Sequence, residues 1–176
     1  MKRLFLLTIL PAVLLLSCNK SHDTGTSYYI NATIDGVSKS YTGNVFATKT
    51  ADNKSYTINI NGLLSSSAGD GIDVLVSSNN PSQAIGTGTY TDSSSVYTVL
   101  LAYAPSPTGT GYSGGTATSD SASNHGIAIT HHLQVVISSI SSVEVQGSFS
   151  GDIFLSGNAS GDKKTVTNGT FFAKFQ

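Results

Sequence analysis

Three histidines crowd one stretch of the chain: His125, His131 and His132. Imidazole is a common zinc ligand, and zinc takes three or four ligands of that kind. Adjacent residues on a strand point to opposite faces, so His131 and His132 cannot grip one ion together. A site would need His125 or a distant carboxylate folded nearby, and the expectation is that there is no metal. Six aspartates, Asp70, Asp73, Asp92, Asp120, Asp152 and Asp162, are of the type that hydrolyses glycosidic bonds. That chemistry needs two carboxylates roughly 5–10 Å apart across a cleft. Nothing in the spacing selects a pair, and most of these acids flank Gly or Ser, the company of turns. Gly69 to Asp73 has the look of a calcium loop but lacks the remaining oxygen ligands and the terminal Glu. The Gly-rich run over 108–115 lacks the helix and lysine of a phosphate loop. The residues point to no enzyme and no cofactor.

The tyrosines suggest binding instead. Tyr103 flanks, and Tyr112 lies in, a polar stretch from Pro105 to Asn124, rich in Pro, Ser, Thr and Gly. Aromatic rings among hydroxyls and amides can stack on sugars while their neighbours hydrogen-bond them. So long a loop is unusual in a compact domain, and loops on a rigid scaffold commonly carry function. Tyr103 and Tyr112 are therefore the expected ligand contacts.

The single cysteine, Cys18, follows a leucine-rich run. Met1-Lys2-Arg3 is a basic start and Leu4 to Leu16 is almost wholly apolar, the pattern of a secretory signal. Thirteen helical residues reach about 20 Å, short of the roughly 30 Å of a bilayer core. Leu15-Leu16-Ser17-Cys18 resembles the bacterial lipobox. The resemblance implies cleavage before Cys18, a thioether-linked diacylglycerol on its sulfur, and anchorage by several acyl chains. With Cys18 lipidated, the remaining domain has no thiol for a disulfide or a metal. Lys20, where an aspartate resembles an inner-membrane retention signal, favours the outer membrane; the periplasmic and the outward face stay open.

Removing Lys2 and Arg3 from nine basic residues leaves seven against ten acids. No arginine remains and the lysines are scattered. A phosphate-tracking groove needs clustered Lys and Arg, so nucleic acid is excluded as a partner. Ser and Thr make about a quarter of the chain and there is one Glu, a poor vocabulary for helices. Val, Ile, Thr and Tyr favour strands.

Asp35-Gly36 is a strong hairpin signal between Tyr28–Ile34 and Val37–Thr42. Tyr56, Ile58 and Ile60 alternate, as do Ile72, Val74 and Val76, leaving Asp73 and Leu75 on the opposite face. Val96 to Tyr103 reads as a central strand, Tyr112 to Thr118 as a short edge strand, and His125 to Ser142 as a further strand region. About nine or ten closely spaced strands with no substantial helix predict one antiparallel β-sandwich, or its barrel-like variant. The expected organisation is a signal peptide over 1–17, a lipidated tether over 18–27 and a single domain over 28–176.

Ala32 to Gly43, His125 to Thr130, Val145 to Ile153 and Val166 to Phe175 occur in an order that resembles a family of small Bacteroidota lipoproteins of unknown function. The resemblance implies an all-β extracytoplasmic domain and transfers no catalytic residues. Ser38 and Lys39 stand where such proteins often carry an aromatic. Asp120-Ser121-Ala122 resembles the Bacteroidota O-glycosylation motif, which would make Ser121 a modified residue. These readings combine into a non-catalytic envelope domain that binds a protein or glycan partner. The alternative is an assembly component whose sheet edge pairs with another chain. A barrel holding a small apolar ligand and a glycan-active hydrolase stand behind these.

Overall fold

The computed structural model describes residues 27–63, 69–106, 109–155, 157, 159 and 161–176. Cys18, the expected signal peptide over 1–17 and the expected tether up to residue 26 lie outside them. Among the described residues there are eleven strands and one helix. In chain order these are β1 (Tyr29–Ile34), β2 (Val37–Tyr41), β3 (Asn44–Ala51), β4 (Tyr56–Leu63), β5 (Gly71–Ser78) and β6 (Gly88–Thr91). Then follow β7 (Tyr97–Ala104), β8 (Tyr112–Gly115), α1 (Thr116–Asn124), β9 (Gln134–Ile140), β10 (Glu144–Leu155) and β11 (Lys163–Lys174).

The hairpin begins as its sequence demands. Asp35 and Gly36 take φ of 49° and 79°, the left-handed pair a two-residue turn requires. The strands run β2-β1-β11-β10-β8-β7-β5-β4-β3, with β9 on β10 and β6 on β9. The long strand β10 is the corner. Its first half pairs with β9, while Phe154 and Leu155 at its far end pair with β8. Between the halves the register with β11 shifts at Phe149–Gly151. Gly151 has φ 151°, and a Cβ there would stand 2.6 Å from Leu133 Cα. A strand that bends at a bulge can serve two layers. At the other side, Ala47 of β3 bridges Phe175 in parallel and accepts a 3.0 Å hydrogen bond from Gln176 N. The result is an all-β, nearly closed, barrel-like sandwich.

The core follows from period-two alternation. Ile58 and Ile60, Val74 and Val76, and Val99 and Leu101 face Ile30, Val145, Val166 and Phe171, all buried in one cluster. Phe149 and Phe171 stack with centroids 6.4 Å apart. Each fully buried side chain of this size contributes about 1.5–3 kcal/mol.

The expected long loop after Pro105 is instead largely structured. Tyr112 to Gly115 is a strand, but an interior one, hydrogen-bonded to both β7 and β10. The next nine residues are helical, where no helix was expected. Their composition is poor for a helix and no side chain caps the N-terminus. Tertiary contacts override propensity. Ala122 packs in a satellite cluster with Phe154, Ala159, Ile127 and Ile129, and Thr116 Oγ1 accepts a 3.0 Å bond from Val99 N. Ile127 and Ile129, expected to begin a strand, belong to that cluster, and β9 starts only at Gln134.

Candidate functional site

Cross-strand register assembles the site. Asn61 of β4 lies opposite Asp73 of β5, Asp73 opposite Ala102 of β7, and Ala102 opposite Ser113 of β8. Because Ile72, Val74 and Val76 turn into the core, Asp73 emerges on the outer face of the sheet. The next row pairs Leu63 with Gly71 and Gly71 with Ala104. Gly71, Ala102, Ala104 and Gly111 have little or no side chain, and they leave a hollow of about 470 Å³ walled by Leu63 and Asp73 among others. A Cβ at Gly71 would come within 2.7 Å of Leu63 Cδ2, so glycine keeps this floor low.

Asp73 is half-buried, and among the described residues its carboxylate meets no hydrogen-bond donor or cation. Burial pushes its pKa up from the ordinary carboxylate value, as desolvation of the charged form requires. The other buried acids are in a different state. Asp70 accepts from Lys39 Nζ at 2.7 Å and from the Tyr41 hydroxyl at 2.7 Å. Asp92 accepts from Ser119 Oγ at 2.6 Å and Leu133 N at 3.0 Å, and lies 2.9 Å from His132 Nδ1. Asp152 accepts from Lys163 Nζ at 2.9 Å, Thr130 Oγ1 at 3.0 Å and Thr165 Oγ1 at 2.8 Å. Burial alone would raise the Asp152 pKa; the bond from Lys163, then those from Thr165 and Thr130, outweigh it and hold the carboxyl below its ordinary value.

Tyr103 and Tyr112 stand opposite each other on β7 and β8, and both border the hollow. Tyr103 is 5% exposed and belongs to the core cluster, with Lys39 Nζ 5.9 Å from its ring centroid. Its ring is too deep to offer a stacking face to solvent. Tyr112 is half-buried; its hydroxyl donates to Asp162 Oδ2 at 3.0 Å and Lys164 Nζ sits 4.7 Å from its ring centroid.

The histidines diverge. His131 Nδ1 is 3.3 Å from Asp152, His132 Nδ1 turns to Asp92, and His125 Nδ1 bonds the Ser121 carbonyl at 2.8 Å. Among the described residues, no three His, Cys, Asp or Glu side chains are grouped to hold a metal ion. Ser121 is exposed on α1, not in a loop, next to the buried Ala122. Asp120 is exposed as well and borders a second cavity of about 330 Å³ beside Asp92 and His132.

Sequence reasoning counted Asp73 among six equivalent acids. The alternation of Ile72-Asp73-Val74 set it apart by putting it on the outer face; the missing donors are a tertiary fact. No protein-family model matches this chain, and no curated protein or solved structure matches it either.

Proposed function

We propose that this chain is a lipid-anchored envelope protein of Bacteroidota type whose β domain binds a glycan at the hollow beside Tyr103 and Tyr112, without catalysing a reaction. The carrying observation is Asp73: a half-buried carboxylate without a partner among the described residues, in a concavity on a scaffold that satisfies its deeply buried acids. About 470 Å³ lies within the range of small-ligand sites and suits one or two sugar rings. Leu63, Ala102 and Ala104 supply apolar contact for ring C–H groups, and Asp73 and Ser113 supply polar contacts. One acid lines the hollow, whereas glycoside hydrolysis uses two, which favours binding. The address rests on the leader and on Cys18 as the lipidated residue, with the outer membrane favoured by Lys20.

The test uses the full-length lipidated protein in detergent micelles. A ligand at 100 times its Kd adds about 2.7 kcal/mol, or about 5–11 °C in Tm for a domain of this size. At least one envelope or host glycan should produce such a shift, and Ala102→Leu, which fills the hollow, should abolish it. A complete glycan panel without a shift sinks the reading. Cys18→Ala should move the protein from the membrane to the soluble fraction.

A second reading, assembly through a sheet edge, is favoured by one feature. β2 ends the strand order, and its Val37 is 58% exposed. Val37→Lys would then disrupt a co-purifying complex that Ala102→Leu leaves intact.

A further inference from the structure

We infer that the ligand of the Asp73 hollow carries an ammonium group that pairs with this carboxylate, so that its class is a free-amine sugar rather than a neutral or N-acetylated one. The inference rests on the glycan reading above and names the chemistry of the sugar.

An ionised carboxylate only accepts hydrogen bonds, so its partner must donate. Among the described residues no donor reaches it, and the lysines beside the two tyrosines that border the hollow are engaged elsewhere. Lys39 bonds Asp70 at 2.7 Å and Lys164 bonds Asp35 at 3.1 Å. Elsewhere the domain sets a basic group beside each deeply buried acid: Lys39 beside Asp70, His132 beside Asp92, and Lys163 with His131 beside Asp152. Asp73, half-buried, has no such group among the described residues, and it borders the larger of the two cavities described above. Its surroundings decide between a hydroxyl and an ammonium. Leu63, Ala102 and Ala104 are apolar, and low polarity strengthens a charge–charge contact more than a charge–dipole one. Calcium is a poor alternative, since it takes six to eight oxygens and a single acid lines the hollow. The small side chains of Gly71, Ala102 and Ala104 leave room for a ring rather than for a lone ion.

Calorimetric titration of the full-length lipidated protein in micelles tests this, at low salt and about pH 6, where the amine is charged. The probes are a glucosamine trisaccharide, its fully N-acetylated form and a glucose trisaccharide. The free-amine sugar should bind at least tenfold tighter than either other, and added salt should weaken it. Asp73→Asn, which keeps the side-chain shape, should remove that preference, and Ala102→Leu should remove binding of all three. Equal affinity for the three sugars overturns the inference and leaves the glycan reading standing. So does a preference that survives Asp73→Asn. Binding only of other glycans also overturns it, and an absence of any glycan binding overturns both.

Discussion

Asp152 and Asp73 are aspartates on strands of the same sheet, and their surroundings could hardly differ more. Asp152 has a fully buried carboxylate that gathers donors from three places: Thr130 in the crossing before β9, and Lys163 and Thr165 on β11. Asp92 does the same work nearby, tying Ser119 of α1 to His132 and Leu133. Together these two acids fasten the irregular segment over 125–133 and the low-propensity helix to the sheets. Asp73 fastens nothing. An acid drawn out of water costs free energy unless donors compensate it, so Asp73, half-buried and without a donor among the described residues, does not stabilise the fold as Asp152 does. Sites that bind or react are where such local compromises gather.

The comparison can be broken most directly by removing the satisfied acid. Asp152→Ala strands the donors of Lys163, Thr130 and Thr165, and should lower stability by about 3 kcal/mol in urea unfolding. A loss below about 1 kcal/mol would mean that the network does not hold the crossing. Asp92→Ala should cost about 2 kcal/mol, and hydrogen exchange should show α1 and Leu133 losing protection while β4 and β5 keep theirs. Uniform loss across the domain would contradict the local role. The smallest effect belongs to Asp73→Asn, which should raise stability at neutral pH by up to about 1 kcal/mol, the sign expected when a partly desolvated charge is removed.

The pH dependence carries opposite signs at the two acids. The Asp152 carboxyl is held low in the fold, so its contribution is full above the unfolded carboxylate value of about 3.9 and is lost as pH falls through the lowered folded value. Asp73 is pushed up in the fold, so its cost is full above that raised value and disappears as pH falls through it toward the unfolded one. Melting curves from about pH 3 to pH 7 should therefore show the benefit of Asp73→Asn vanishing toward acid, while Asp152→Ala remains the less stable variant until Asp152 itself protonates. A benefit of Asp73→Asn that is constant with pH would show that charge is not its cause.

Much of the fold was legible. The alternation in Tyr56–Ile60 and Ile72–Val76 identified strands, and Asp35-Gly36 identified the first hairpin. The polar stretch after Pro105 was not legible, because Thr116 to Asn124 has the composition of a loop and is helical only through Ala122, Phe154 and Thr116. For the same reason Tyr112 to Thr118 read as an edge strand, whereas Tyr112–Gly115 is an interior one: its second partner, Phe154–Leu155, lies far along the chain, and the bend at Gly151 brings it there. The pair Tyr103 and Tyr112 was picked for aromatic character. Register places the two residues side by side at the hollow, but Tyr103 turns its ring into the core.

The chain's own sequence determined the β class and the two-faced character of its strands, because period-two alternation is a local property that any extended segment expresses. It also determined that His131 and His132 diverge, for the same local reason. Tertiary structure alone decided which acid is satisfied. Asp70, Asp73, Asp92 and Asp152 are chemically identical in the sequence, and the donors that separate them come from segments up to forty-one residues away, brought within hydrogen-bond reach only when the two layers close.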